Sequence, residues 1–322
     1  MAKRRALEDT LAELHALRQA PLTTAALSAL RQGLNSKISY VVAKAAEITG
    51  EAEIGQLTPE LVAAFGRLML EPAKSDPGCQ AKAQIADALY RIGYEEADLF
   101  LRGIHHVQLE PVYGGRVDTA AGLRSACALG LVRMNYPDVL SELADLLADP
   151  EAPARLAAVR ALAYSENQNA APLLRLKAHV GDEDPQVIAE CLGALLKVAA
   201  AAALPFVARQ LDAGAVTTRE SAALALGSSR LRAAFPILRE WWQRIREREL
   251  RRTALLAIAM LRQDEALAFL LSLVAEAPGH TAREALAALG LYRHDDALRK
   301  RVLCAATQRT DVDLSATIAE VF

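Results

Sequence analysis

The sequence predicts an all-α fold, a right-handed superhelical solenoid of stacked helix pairs. Two observations carry that expectation and a third supports it. First, a short signature recurs: a basic residue, then small residues, then Ala-Leu near a helix end. Its large apolar anchors fall at Ile48, Leu89, Leu129, Leu162, Leu195, Leu226, Met260 and Leu289, spaced by 41, 40, 33, 33, 31, 34 and 29 residues. Such periods mark architectures in which each helix pair buries its apolar face against the next. Second, strand signals are missing, with no sustained period-2 alternation and no Asn-Gly or Asp-Gly turn. Third, 52% of the chain is hydrophobic but only 5% aromatic, and much of the remainder is alanine, the best helix former.

The elements follow in order. Leu7, Leu11, Leu14 and Leu17 share one helical face. Glu8, Asp9 and Glu13 interrupt what would otherwise be a signal-peptide core after Met-Ala-Lys-Arg-Arg. Residues 1–36 are therefore expected to be N-terminal capping helices, 37–300 repeats and 301–322 a C-terminal cap, all in one domain. Thr58-Pro59 and Asp184-Pro185 read as an N-cap followed by proline in the first helical turn. Gly93, Gly130, Gly227 and Gly290 read as helix ends. The apolar run from Cys191 to Ala208 contains Lys197 and Pro205. It is expected to form two core helices joined by a short turn, not a membrane span. Leu129, Leu162, Leu195, Leu226, Met260 and Leu289 are expected to be buried between repeats.

Global charge is close to balance at −2, which does not suggest a protein that coats DNA or a membrane surface. The four cysteines make no CxxC pair. Cys127 and Cys191 read as small core residues, and a reducing, cytoplasmic setting fits.

On the residues Asp149-Pro150, Arg155-Leu156-Ala157-Ala158-Val159-Arg160-Ala161-Leu162 and Pro172, the chain resembles HEAT-repeat proteins. Its period matches the short units of bacterial members. The resemblance covers about residues 37–300 and implies architecture, not activity.

Function in a regular stack is expected where regularity fails. The clearest break runs from His105 to Asp118 and collects His105, His106, Gln108, Glu110, Tyr113, Arg116 and Asp118 around Gly114-Gly115. The connection within it, between a helix ending near Val107 and one starting near Thr119, is about ten residues and exceeds the usual helix-to-helix connection. Adjacent histidines point about 100° apart on a helix, so no metal site is expected, and Asp118 reads first as a helix cap. A second candidate is Arg239–Arg252, which holds both tryptophans, Trp241 and Trp242, together with Arg244. Arginine and tryptophan are enriched at binding hot spots. Here one tryptophan is expected in the core and the other partly exposed, with Glu240–Arg244 and Glu247–Arg251 as helical ion pairs. A third feature is a basic residue near the start of many second helices: Lys82, Arg124, Arg155, Arg219, Arg252 and Arg283. These are expected to form a ladder with acidic neighbours, Asp149 serving Arg155 and Asp212 serving Arg219.

No nucleophile–base set or phosphate-cradling loop stands out. The expectation is a non-catalytic scaffold that presents a concave helical surface to a protein or peptide, with no cofactor. The alternative is nucleic-acid binding, or base excision of the kind carried out by alkylpurine DNA glycosylases built from HEAT-like helices; the near-neutral charge counts against it. Bilin lyase-like HEAT proteins, or an accessory that modifies a partner, form a further class that this sequence does not separate from a scaffold.

Overall fold

The computed structural model describes residues 2–18, 23–307, 309 and 314–321, without the side chains of 2–6 and 9. The fold is all-α, a HEAT-like helical solenoid, with 19 α-helices among the described residues. The chain divides into two compact units, residues 1–165 and 166–322.

The first unit contains α1 (Ala2–Leu17), α2 (Thr24–Leu34), α3 (Ser39–Glu51), α4 (Thr58–Leu68), the short α5 (Pro72–Ser75), α6 (Gln80–Ile92) and α7 (Ala97–Ile104). Strands β1 (Leu109–Val112) and β2 (Gly115–Asp118) follow, then α8 (Ala121–Arg133), α9 (Val139–Leu147) and α10 (Ala152–Tyr164). Helices α3, α6, α8 and α10 pack successively in one row, and α2, α4, α7 and α9 pack against them as first members of pairs.

The second unit contains α11 (Ala171–Val180), α12 (Pro185–Arg209), α13 (Val216–Ser229), α14 (Ala234–Arg244) and α15 (Arg248–Met260). It continues with α16 (Asp264–Glu276), α17 (Gly279–Leu289), α18 (Asp296–Thr307) and α19 (Ser315–Val321). Its row is α12, α13, α15, α17 and α19.

Helix α12 is two helices in one run. Ala200 leaves helical torsions (φ 33°, ψ −111°) five residues before Pro205, whose ring opposes the preceding turn. By length and composition the span Pro185–Asp212 could cross a bilayer, yet 56% of its apolar window is buried inside the protein.

Leu162, Leu195, Leu226 and Leu289 are buried as expected. Leu129 and Met260 are only half-buried. In α8 the buried face runs through Leu123, Cys127, Ala128 and Leu131 instead, so the anchor signature sits slightly off the core face. Of the two helix-start signals, one keeps its role and one changes it. Asp184 caps α12, accepting from the Gln186 N–H at 2.9 Å. Thr58, however, lies inside the first turn of α4 and its hydroxyl donates to the Gly55 carbonyl at 2.8 Å. Gly93 ends α6 with φ +80°, and its own N–H and that of Tyr94 close the helix on Tyr90 and Leu89. Gly290 follows α17 with ordinary helical torsions.

Gly130 and Gly227 are not terminators. They lie within α8 and α13, where neighbouring groups come too close for a side chain. A Cβ at 130 would lie 2.4 Å from the Phe100 ring. At 227 it would lie 2.5 Å from the Ala257 carbonyl oxygen and 2.8 Å from its Cα. Gly→Ala in a helix ordinarily gains about 1 kcal/mol. At 227 the obstacle is backbone, so the overlap reverses the sign, and a net loss of about 1–3 kcal/mol is expected from urea denaturation of Gly227→Ala. A neutral or stabilised variant would show that α13 and α15 can separate at little cost.

Candidate binding site at the β-hairpin

The segment expected to be an irregular loop is an antiparallel hairpin, pairing Leu109 with Asp118, Glu110 with Val117, Pro111 with Arg116 and Val112 with Gly115. The sequence concealed it because each strand has four residues, one is proline, and the turn is Tyr113-Gly114. Gly114 has φ +88° while Tyr113 stays on the negative side, the φ signs of a type II turn, with glycine where positive φ is required.

A two-stranded hairpin is marginal alone. Here its base is fastened by a buried polar network that begins at the turn before α6. Asp76 caps that helix, accepting from Ala81 N–H at 3.0 Å and Lys82 N–H at 2.9 Å. Its carboxylate lies 3.3 Å from the Lys82 ammonium, both side chains 0% exposed. The Lys82 ammonium also donates to the Pro72 carbonyl at 3.2 Å.

Gln108, itself buried, donates through Nε2 to the Asp76 carbonyl at 2.9 Å and to Glu110 Oε1 at 2.6 Å. The same Glu110 oxygen accepts from Gly78 N–H at 2.7 Å and the Thr119 hydroxyl at 2.9 Å. At the other strand, Asp118 Oδ1 accepts from the N–H groups of Gln108 and Ala120, both at 2.9 Å. Asp118 Oδ2 meets Arg124 at 2.7 Å. Arg124 also reaches Asp149 at 2.8 Å and donates to the His106 carbonyl at 2.8 Å. Asp118 is thus a cap, as expected, and also a strut.

The two carboxylates differ in what sets their acidity. The Gln108 hydrogen bond is the largest influence holding Glu110 below the usual carboxylate range, aided by Gly78 and Thr119. Burial pushes Asp118 up, but the Ala120 and Gln108 N–H groups and Arg124 outweigh it and leave its pKa lowered. Both folded-state pKa values are depressed, so the stabilisation is present above the unfolded carboxylate pKa and is lost as pH falls through the lowered values. The hairpin base should therefore loosen in acid. Glu110→Gln should show a shallower fall of stability with decreasing pH than the natural chain, measured by denaturation across the acid range. Parallel pH profiles would remove Glu110 from this role.

His106 Nε2 lies 3.3 Å from Gln108 Oε1, and burial lowers its pKa. His105 is more exposed and faces Glu142 at 2.8 Å. The two histidines serve different partners.

Beyond the base the hairpin stands clear. Tyr113 is fully exposed, and a Cβ at Gly114 or Gly115 would meet nothing within 4 Å. Arg116 is exposed as well. Of the fourteen exposed large hydrophobic residues among those described, five fall between 107 and 117: Val107, Leu109, Val112, Tyr113 and Val117.

The tryptophan segment lies in the second unit and behaves differently from expectation. Both rings are buried, and each has its own partners. Trp241 donates from Nε1 to the Leu211 carbonyl at 3.0 Å. Trp242 packs edge-on to Phe269 with Arg251 over its ring at 4.4 Å. The expected helical ion pairs, Glu240–Arg244 and Glu247–Arg251, are replaced by other contacts. Arg244 meets Asp212 at 2.9 Å, Glu247 meets Arg219 at 3.3 Å, and Arg251 donates to the Trp242 and Ile245 carbonyls. The expected basic ladder holds only in part and is differently paired: Asp149 takes Arg124, Arg155 donates to the Asp149 and Pro150 carbonyls, and Arg283 has no acidic partner among the described residues. Sequence reasoning missed Asp76, whose signal was the Asp-Pro-Gly turn ahead of α6.

No protein-family model matches the chain, and no curated protein matches it. Among solved structures it is similar to the complex of CpcE and CpcF of phycocyanin lyase from Nostoc sp., at 17% identity and a TM-score of 0.39, over 81% of this chain and 94% of that one. It is also similar to human deoxyhypusine hydroxylase in complex with glycerol, at 19% identity and a TM-score of 0.31, over 90% of this chain and 91% of that one. Both are HEAT-like helical-repeat proteins. The sequence reading expected no enzyme, yet both neighbours carry enzyme names, so the architecture gives no ground for excluding catalysis and that expectation is withdrawn.

Proposed function

We propose that the chain is a helical-repeat binding protein whose first unit engages a protein or peptide partner through the hairpin tip. The observation that supports this reading is the contrast within one hairpin: a base fixed by buried polar groups and a tip that exposes apolar side chains to water. Exposed apolar clusters are a feature of interaction sites, and a rigid support lowers the ordering cost of binding.

The backbone adds a second component. Thr119 N–H donates to the Gln108 carbonyl at 3.0 Å, which places 108/119 among the mutually bonded pairs, and with them 110/117 and 112/115. The outward-facing backbone groups are then those of Leu109 and Pro111 on β1 and of Arg116 and Asp118 on β2. Pro111 has no N–H, so β1 is the blunted edge. An extended partner segment adds along β2, with Val112, Tyr113 and Val117 supplying apolar contact.

Photo-crosslinking tests the reading. A photoreactive residue replacing Tyr113 should give a defined protein adduct in native lysate, and the same residue at exposed Leu70 should not. Val112→Ser with Val117→Ser should abolish the adduct while leaving the melting temperature nearly unchanged, because exposed substitutions usually act within about 0.5 kcal/mol. Equal adducts from both positions would overturn the proposal. So would tight binding to random duplex DNA that falls steeply with salt, since that slope counts phosphate contacts.

A further inference from the structure

The second unit carries a cavity of about 540 Å³ over the opening turns of α15 and α17, within the roughly 300–1,000 Å³ of small-molecule sites. Its chemistry is set by three arginines and one buried acid. Glu284, its side chain 6% exposed, accepts from Arg248 Nε at 3.1 Å, and the same oxygen lies 3.4 Å from Arg252 Nε. The carboxylate thus holds two guanidinium groups by their inner nitrogens. The Nη groups of Arg248 have no partner among the described residues, and Arg252 uses one of its own on Glu249 at 3.1 Å. Arg283 and His280 also line the cavity, exposed and without a partner among the described residues. Three arginines against Glu249 and Glu284 leave a net charge of +1 before His280 is counted. One turn further along the same two helices the lining is apolar, with Leu256, Ala287 and Ala288.

We infer that this cavity binds an oxyanion head, a phosphate monoester or a carboxylate, carried on an apolar stem. Guanidinium groups with unused donors line one space, and arginine presents parallel N–H groups that match both heads. Glu284 is a positioning residue: it spends the Nε groups and fixes the planes, so less side-chain freedom is lost when an anion arrives. The apolar lining selects against free inorganic ions. This inference is independent of the hairpin, which lies in the other unit.

Calorimetric titration of the full chain with phenyl phosphate and with benzoate tests it. Saturable binding at one site is expected for at least one probe. The tighter of the two assigns the head as phosphate or carboxylate. Arg248→Gln and Arg283→Gln should each weaken binding by about tenfold, the usual scale for a lost charged hydrogen bond. Arg299→Gln, which removes an equal charge from α18, should leave it unchanged, and melting curves confirm that each variant is folded. The proposal is overturned if neither probe saturates the protein at about 10 mM. It is equally overturned if Arg299→Gln weakens binding as much as Arg283→Gln, because attraction to overall charge would then suffice.

Discussion

Asp76→Ala is expected to cost about 3–5 kcal/mol, the scale for breaking a buried ion pair from one side. The reason lies in what remains. The Lys82 ammonium is fully buried and is left with the Pro72 carbonyl as its sole partner among the described residues. The Ala81 and Lys82 N–H groups at the start of α6 lose their cap as well. The reverse substitution is milder. Lys82→Met removes the ammonium but leaves Asp76 accepting from those two N–H groups, so its charge stays partly compensated. Urea denaturation of both variants checks the asymmetry. A loss below about 1 kcal/mol for Asp76→Ala, or a larger loss for Lys82→Met, would show that water reaches the pair.

Leu195→Ala is expected to cost about 2–5 kcal/mol through lost transfer energy and the cavity left behind. Leu195 is 2% exposed in the first half of α12, which packs against both α11 and α13. Met260→Ala should cost roughly half as much or less, because its side chain is only half-buried. Comparing midpoints and slopes for the two variants reads the register of the stack directly. Equal losses would mean that the anchor series, not the burial pattern, describes the core.

The stacked-helix architecture was legible because it repeats. A two-helix unit must place apolar residues on the same faces each time, so spacing alone exposes it. Individual positions were less legible. Leu129 and Met260 carry the signature yet turn partly outward, since a shift of one residue rotates a helical side chain by about 100°. Gly130 and Gly227 look like helix ends in sequence, where a terminating glycine and one accommodating a close neighbour are the same letter. The hairpin was hidden for a related reason. Four-residue strands offer too few alternations to detect, and Tyr-Gly is not among the strong turn pairs. The polar residues from 105 to 118 were visible as a group, but not their division into a fastened base and a free tip. That division depends on Asp76, Gly78 and Arg124, which lie outside the segment and meet it only in the folded chain.

The burial of the thiols has a practical consequence. Cys79, Cys127 and Cys191 are buried, and burial pushes the first and last up to about 12 and raises Cys127 as well. Alkylation proceeds through the thiolate and needs access, so these three are poor targets at neutral pH. Cys304, on α18, is exposed. The natural chain therefore comes with one addressable conjugation point, and a maleimide dye should attach there in near-equimolar yield without any cysteine being removed. That point lies in the second unit, remote in sequence from the hairpin, so a fluorescent reporter can be installed while every side chain of the candidate binding tip keeps its natural identity.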